Sequence, residues 1–278
     1  MSRISTHSEL RYTVESPSAF FFSVVAARGA RQKVVDERLD IVPHGPIRRE
    51  PFGPTGHEIV RVLAEPGPLS LVYDAIVTVS AYVPEVAPAG ETNFADLPVD
   101  VLPFLLPSRF CQSDLLSRVA AKEFDGLAPG FERITGVCNW VYDHLDYVPG
   151  STGSSTTAVD VLVQGAGVCR DYAHLAIALC RALGVPARYL SGYAVDLDPP
   201  DFHGFFEAYL DGEWYLFDAT RMAPIDGLVR IGVGRDAGDV PFASFVGWAT
   251  LDEMVVSTID LDRTEPDDGT TTAAISTA

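Results

Sequence analysis

The sequence has no apolar run of the roughly 18 to 20 residues that a spanning helix needs. Its opening stretch, MSRISTHSELRYTV, has no apolar core behind its charges. Neither a membrane span nor a signal peptide is expected, and the reading is a soluble cytoplasmic protein with no membrane partner. Basic residues are scarce as well: 20 Lys and Arg stand against 38 Asp and Glu, a formal net charge of −18, with no basic stripe. Affinity for a phosphate backbone comes from counterions that basic side chains release, so no nucleic acid partner is expected. The four cysteines, Cys111, Cys138, Cys169 and Cys180, lack the short spacings of a metal site. In a cytosolic chain they read as free thiols, and no metal is expected.

Two glycine-rich stretches fail as dinucleotide fingerprints. GAGVCR has Arg170 at the third glycine position and follows a helix rather than a strand; GVGRDAG, from Gly232 to Gly238, misses the spacing by one. The acidic runs DLDPPD and DLDRTEPDD have neither the glycine nor the closing glutamate of a calcium loop. No cofactor is implied.

What is present suggests two domains, since 278 residues exceed the usual single-domain size. Residues 1–83 alternate and favour β-branched and aromatic side chains, with turn punctuation at Ser16-Pro17, Arg28-Gly29 and Glu65-Pro66-Gly67-Pro68. This pattern predicts an antiparallel, sandwich-like β-domain. Residues 84–100, rich in Pro, Ala and acidic groups, read as a linker. Residues 101–262 give helices first and strands after, an α+β order. Residues 263–278 lack the apolar content to pack and are expected to form a mobile tail.

Within the second domain, DLLSRVAAKEF predicts a helix with Ser113 as cap. Phe131, Ile134, Cys138, Val141 and Leu145 recur at spacings of 3, 4, 3 and 4, one face of a helix, which makes Cys138 a packing residue. TTAVDVLVQ predicts a short helix capped by Thr156 or Thr157. The next helix spans roughly Val168 to Leu183 and ends at Gly184 and Pro186. Cys180 lies well inside it and packs. His174, five residues beyond Cys169, is about 140° around the helix and cannot pair with that thiol. His144, at a helix C-terminus, suits a surface role.

The stretch HGFFEAYLDGEWYLFDAT carries the strongest hairpin signal, Asp211-Gly212 between two alternating runs. A two-residue turn there sets Leu210 opposite Glu213, and by extension His203 opposite Thr220 and Phe205 opposite Asp218. His203 and Asp218 then project from one face as diagonal neighbours. A carboxylate so placed fixes the imidazole tautomer and stabilises its cation. The pair lacks a nucleophile, and Cys169 at a helix mouth supplies a candidate, because the free N–H groups and dipole there favour the thiolate. Gly165 and Gly167 let the backbone bend sharply before it. The Cys169 N–H is placed to serve as an oxyanion donor, and Gln164 is a candidate to add a side-chain donor.

The segments GVCRDYAHLAIALCRALGVPARYLSGY and HGFFEAYLDGEWYLFDAT, in the order Cys, His, Asp, resemble the transglutaminase-like superfamily. More narrowly they resemble its bacterial branch described as cysteine proteases, in which a β-rich N-terminal region precedes a papain-like core. The resemblance implies a Cys-His-Asp catalytic triad with Cys169 as nucleophile, His203 as general base and acid, and Asp218 as orienting residue. It covers most of the chain. Arg170 stands where a glutamine is common, Gly204-Phe205 where Ala-Trp is usual, and Ala219 in place of proline. These neighbours shape the cleft and bear on specificity.

The expected activity is that of a thiol hydrolase, a cysteine peptidase or amidase acting on a peptide or protein amide through an acyl-enzyme. Transfer of the acyl group to an amine is the alternative within the same chemistry. A non-catalytic binding or assembly module is the alternative outside it. Tyr147, Trp140, Trp214 and Tyr193 are candidate aromatic residues of the cleft.

Overall fold

The computed structural model describes residues 1–43, 45–52, 56–85, 90–263 and 274–278. Six strands come first: β1 (Ser2–Val14), β2 (Ser18–Phe22), β3 (Gln32–Val42), β4 (Ile47–Pro51), β5 (Glu58–Ala64) and β6 (Gly67–Val79). Helices and two short strands follow: α1 (Ser113–Phe124), α2 (Phe131–His144), β7 (Asp146–Tyr147), α3 (Ala158–Gln164), β8 (Ala166–Gly167) and α4 (Cys169–Ala182). The chain closes with β9 (Ala187–Ala194), β10 (Phe202–Leu210), β11 (Glu213–Phe217), β12 (Leu228–Gly234), β13 (Ala243–Val246) and β14 (Ala249–Asp260).

The alternating pattern of the N-terminal sequence becomes two four-stranded sheets, ordered β14-β1-β6-β3 and β13-β2-β5-β4. In β1 the residues Ile4, Leu10, Tyr12 and Val14 point inward, and β6 answers with Leu69, Leu71, Tyr73 and Val77, in a register that sets Ile4 against Val77 and Leu10 against Leu71. Phe20 and Phe22 of β2 stack at 5.4 Å between the sheets. One-face alternation is what a sandwich needs, because each sheet buries one side against the other.

The C-terminal half is built on the sheet β11-β10-β9-β12. Helix α4 packs on this sheet and is surrounded by α1, α2 and α3. Every residue of α4 from Asp171 to Arg181 is buried, and its small and apolar side chains, Ala173, Ala176, Ala178 and Cys180 among them, let neighbours approach from all sides.

Three expectations about the layout are corrected. The second domain does not end as a closed unit at residue 262: β13 and β14 return to the first sandwich as edge strands, β14 pairing with β1 from Ile4↔Asp260 to Val14↔Ala249 and β13 with β2. The two halves also share a core, in which Tyr193, Val195, Phe202, Val229 and Ile231 pack with sandwich residues. The proposed linker is only partly loose in sequence terms. Residues 86–89 lie outside the described residues, but Leu97 is buried with Val101 and Tyr209, and Gly90 and Thr92 hydrogen-bond to the Asp211-Gly212 turn. The proposed mobile tail is corrected at its end. Residues 264–273 lie outside the described residues, whereas Ala274, Ile275, Ser276 and Thr277 are buried. Ser276 exchanges backbone hydrogen bonds with Tyr82, and the Ile275 carbonyl accepts the Leu216 N–H, so this segment covers the edge of β11.

Helix boundaries follow the local signals closely. Thr157 caps α3 through a reciprocal pair with Asp160, the capping box. Ser113 is the first residue of α1 and makes no side-chain cap; Gln112 holds the cap position instead. Gly165 closes α3 at φ 72°, the left-handed geometry that glycine adopts without strain.

Candidate active site

The hairpin forms as the turn chemistry dictates. Leu210 faces Glu213, Tyr209 faces Trp214, and the pairing runs to Phe206↔Phe217. Asp211 and Gly212 take φ of 48° and 87°, both positive, as a type I′ turn requires. Beyond Phe217 the chain leaves the ladder, and Asp218 turns its carboxylate onto His203. The His203 Nε2 to Asp218 Oδ2 distance is 2.9 Å, and both side chains are buried.

A third residue completes this circuit. The Thr220 N–H and hydroxyl both donate to Asp218 Oδ1, at 2.8 and 2.7 Å, and the same hydroxyl oxygen is 3.4 Å from His203 Nε2. Thr220 is in turn fixed by the Met222 N–H at 3.2 Å. The neighbouring Arg221 sits at φ 56°, reaches Asn139 and lies over the Tyr142 ring at 4.1 Å, which ties the loop to α2. Sequence reading placed Thr220 opposite His203 but gave it no role. Its signal is its position, two residues beyond an orienting carboxylate, where a hydroxyl can close an Asx-type turn.

Burial alone would lower the His203 pKa, but the charge and hydrogen bond of Asp218, with a further contribution from Cys169, outweigh it and raise the imidazole to about 10. Burial pushes Asp218 the other way; the imidazolium and the two Thr220 donors prevail and hold the carboxyl below its ordinary range. The ring therefore carries its proton at neutral pH. With Nε2 committed to Asp218, the buried Nδ1 makes no close hydrogen bond among the described residues and is the nitrogen left for the thiol.

Cys169 opens α4, and its thiol is the one partly exposed member of the four cysteines, all of them free. Its Sγ lies 4.0 Å from the Phe202 carbonyl oxygen, next to His203 in sequence. The helix start is braced from behind. Asp171 Oδ2 accepts the Val168 N–H at 3.0 Å and the Thr152 hydroxyl at 2.5 Å, while Arg170 pairs with Asp171 Oδ1 at 3.2 Å and donates to the Gly153 carbonyl. Gly167 permits this brace, since a Cβ there would meet Asp171 Cβ at 2.7 Å. These bonds satisfy the Val168 N–H and leave the Cys169 N–H at the open end of the helix. By contrast Cys111 and Cys180 are buried, and burial raises both thiols, Cys111 to about 12.

The two-residue parallel pair of β7 and β8 sets Tyr147 opposite Gly167, and the Val148 N–H donates to the Gly167 carbonyl at 3.0 Å. This brings Tyr147 beside Cys169; burial first, then the neighbouring Cys169, raise the phenol above its ordinary value. Gln164 is elsewhere: its side chain is exposed and its amide donates to the Ser151 carbonyl at 2.9 Å, which corrects its candidacy as a donor in the cleft. Of the other aromatic candidates, Tyr193 is buried against Ser8 and Val24, Trp140 packs on Phe124 and His144, and Trp214 stacks on Arg188. His174 packs, as its angular position predicts: it stacks on Phe110, and its Nε2 accepts the Ala237 N–H.

Cys169 and His203 line one cleft of about 510 Å³, whose walls include Phe110, Tyr189 and Phe242. Ala243 and Ser244 of β13 and Met254 of β14 also face it, so the strands that return to the sandwich form part of its wall. Among the described residues no group of His, Cys, Asp and Glu could hold a metal, and no helix is long and apolar enough to cross a membrane.

Comparison with known proteins agrees with this architecture. Residues 118–219 match the model of the transglutaminase-like superfamily, and residues 3–99 match that of the bacterial transglutaminase N-terminal domain. An uncharacterized protein of Mycobacterium tuberculosis is 30% identical over 268 residues, covering 86% of this chain and 85% of its own length. An uncharacterized protein of Mycobacterium leprae is 35% identical over 119 residues, which is 38% of this chain and 41% of that protein. Among solved structures, "a Putative Cysteine Protease from Cytophaga hutchinsonii" superposes with a TM-score of 0.93 at 40% identity, covering 99% of this chain and 97% of that one. With the fold shared along nearly its whole length and both family models in place, the chain belongs to the transglutaminase-like superfamily.

Proposed function

We propose that this protein is a thiol hydrolase that cleaves a carboxamide or peptide bond through an acyl-enzyme on Cys169. The observation that carries the reading is the 2.9 Å bond between His203 and Asp218, with the opposite imidazole nitrogen uncommitted in the cleft that Cys169 enters from a helix N-terminus. In the proposed cycle Cys169 acts as a thiolate beside the His203 imidazolium. Its sulfur attacks the carbonyl carbon, and charge develops on the carbonyl oxygen. In this cycle the Cys169 N–H supplies one donor to that oxygen, and Tyr147, beside Cys169, is the side chain proposed to supply another. His203 gives its proton to the leaving amine, the C–N bond breaks, and a thioester remains. His203, now neutral, takes a proton from water, hydroxide adds to the thioester, and the acid leaves with the thiolate restored. Asp218 keeps the imidazole oriented throughout.

A cleft of about 510 Å³ beside these groups supports a catalytic reading over that of a scaffold. The test is mass spectrometry of the protein quenched during turnover of a panel of peptide amides. An acyl adduct on Cys169, absent from Cys169→Ala, is expected. Turnover that persists in Cys169→Ala at more than about one part in a thousand would overturn the proposal.

A further inference from the structure

Asp201 is the single carboxylate among the described residues lining the cleft that contains Cys169 and His203. Its Oδ1 accepts the N–H of Phe202 at 2.6 Å, and no Lys or Arg of the described residues pairs with it. The positive charge that acts on Asp201 is the His203 imidazolium, which is committed to Asp218 and makes no hydrogen bond to Asp201. Arg170, the other charge in the cleft wall, is bound to Asp171 and the Gly153 carbonyl. The Asp201 residue is exposed at the mouth, yet enough protein surrounds its carboxyl for burial to raise its pKa against the Phe202 N–H and the His203 charge. The same cleft is lined by Phe110, Phe202, Val240, Pro241, Phe242 and Met254, with Ser154, Ser191 and Ser244 among its neutral polar side chains.

We propose that Asp201 determines specificity by binding the cationic end of a lysine or arginine side chain in the acyl-donor peptide, whose aliphatic stem lies along the apolar wall. This rests on the acyl-enzyme reading above and names its substrate class. A long side chain with an apolar stem and a charged tip matches a wall of aromatic and aliphatic groups with one carboxylate at its mouth. The net charge of −18 adds long-range attraction for a basic peptide. An amine acceptor is the other possible source of a cation, and chemistry disfavours it. Attack on a thioester requires the neutral amine, whereas a carboxylate that binds an ammonium stabilises its protonated form. A donor side chain stays ionised throughout and takes no part in bond making.

The experiment compares three peptide p-nitroanilides that differ in one residue near the scissile amide: lysine, norleucine or glutamate. With the wild-type protein, kcat/KM should fall in that order. Asp201→Asn should raise KM for the lysine peptide by about 10- to 100-fold, the scale of one charge-assisted contact, and change the norleucine peptide by less than about threefold. Asp201→Lys should reverse the order and favour glutamate. Equal losses on lysine and norleucine peptides would overturn the proposal, since they would mean that Asp201 acts through His203 or the fold. So would a change confined to the partition of the acyl-enzyme between water and an added alkylamine, which would assign the cation to the acceptor. A binding arm separates this proposal from the chemistry: calorimetry on Cys169→Ala with the corresponding unreactive peptide amides should show the lysine peptide binding at least about tenfold tighter than norleucine, and Asp201→Asn should abolish the difference. If no acyl-enzyme forms on Cys169 but this preference holds, the reaction assignment fails and the specificity assignment stands. If acyl-enzyme forms and the preference is absent, the reverse is true.

Discussion

The hydroxyl of Thr220 is 2.7 Å from Asp218 Oδ1, and together with the Thr220 N–H it gives that oxygen two donors while the other oxygen faces His203. Orientation of the imidazole therefore depends on a residue that touches neither thiol nor substrate. Thr220→Val keeps the shape and removes one donor to a charged acceptor, worth about 1.5 kcal/mol, so kcat should fall about tenfold with KM unchanged. Thr220→Ser should restore most of it. Steady-state kinetics of the two variants decide the matter, and a serine variant as impaired as valine would reduce Thr220 to a packing role.

Asp218→Asn isolates what the carboxylate does to His203. Without that charge, burial is the dominant remaining influence, and the imidazole pKa should drop from about 10 to below the ordinary value near 6.5. The His203 ring proton resonance, followed by NMR across pH, reads this directly. Stability follows with a defined sign. Because folding raises the His203 pKa, the pair's contribution is complete below about pH 6.5 and is lost as pH rises through about 10. Because folding lowers the Asp218 pKa, its contribution is present above about pH 4 and is lost on further acidification. The urea midpoints of wild type and Asp218→Asn should thus differ most between about pH 4 and 6.5. A difference that grows toward pH 10 would contradict the pairing.

Much of this site was legible because it is local. Asp211-Gly212 fixed the hairpin register as far as Phe206 and Phe217; Asp218 lies one residue beyond the ladder, and its contact with His203 forms as the chain turns out of the strand rather than through the predicted pairing. The start of α3 was signalled by Thr156 or Thr157 and the end of α4 by Gly184 and Pro186, residues whose backbone chemistry acts within one turn. What escaped was non-local. The pairing of β14 with β1 joins residues some 250 positions apart, and nothing in either alternating run names its partner. Tyr147 reaches Cys169 through a two-residue parallel pair too short to leave a periodic pattern. Residues 263–278 looked too poor in apolar groups to pack, yet Ala274–Thr277 is held by backbone hydrogen bonds to Tyr82 and to Leu216 of β11, for which side-chain composition is a weak guide.

Replacing either candidate donor near the nucleophile separates sequence proximity from spatial proximity. Gln164→Ala removes an exposed amide bonded to Ser151 and should leave kcat within about twofold. Tyr147→Phe removes the hydroxyl beside the Cys169 N–H and should lower kcat by about 10- to 100-fold, somewhat under the loss typical of a full oxyanion donor. The reverse ranking in parallel kinetics would return the role to Gln164.

Gly167→Ala tests the brace behind the thiol. The added Cβ would sit 2.7 Å from Asp171 Cβ, and Asp171 cannot withdraw without losing the Val168 N–H, the Thr152 hydroxyl and Arg170 together. Overpacking of this kind costs about 1–3 kcal/mol. The variant should unfold at lower denaturant concentration, and its Cys169 should alkylate more slowly with iodoacetamide than the wild-type thiol. An unchanged unfolding midpoint would show that the helix start shifts freely and that the brace is not needed.

The most consequential charge outside the site is Glu207, buried on β10 between Arg188 and Arg230, with N–O distances of 2.6 and 2.5 Å. Burial alone would raise this carboxyl, but the two guanidinium groups outweigh it and lower the pKa to about 2. Arg188 also stacks on Trp214 at 4.0 Å, and Arg230 donates to Thr277, so the group links β9, β10, β11, β12 and the C-terminal segment. Glu207→Gln leaves two buried cations sharing a neutral acceptor and should cost about 3–5 kcal/mol, the usual result of removing one partner from a buried ion cluster. The sign of the pH dependence is that of a depressed acid. Stability from Glu207 is present above about pH 4.5 and is lost as pH falls toward about 2, so the urea midpoint of Glu207→Gln should converge on that of wild type in acid. Because His203 lies four residues earlier on the same strand, a loosened β10 should also weaken the imidazole's hold on Asp218. Activity is then expected to decline at denaturant concentrations well below global unfolding, and a variant that keeps full activity up to its unfolding midpoint would show the cluster and the site to be independent.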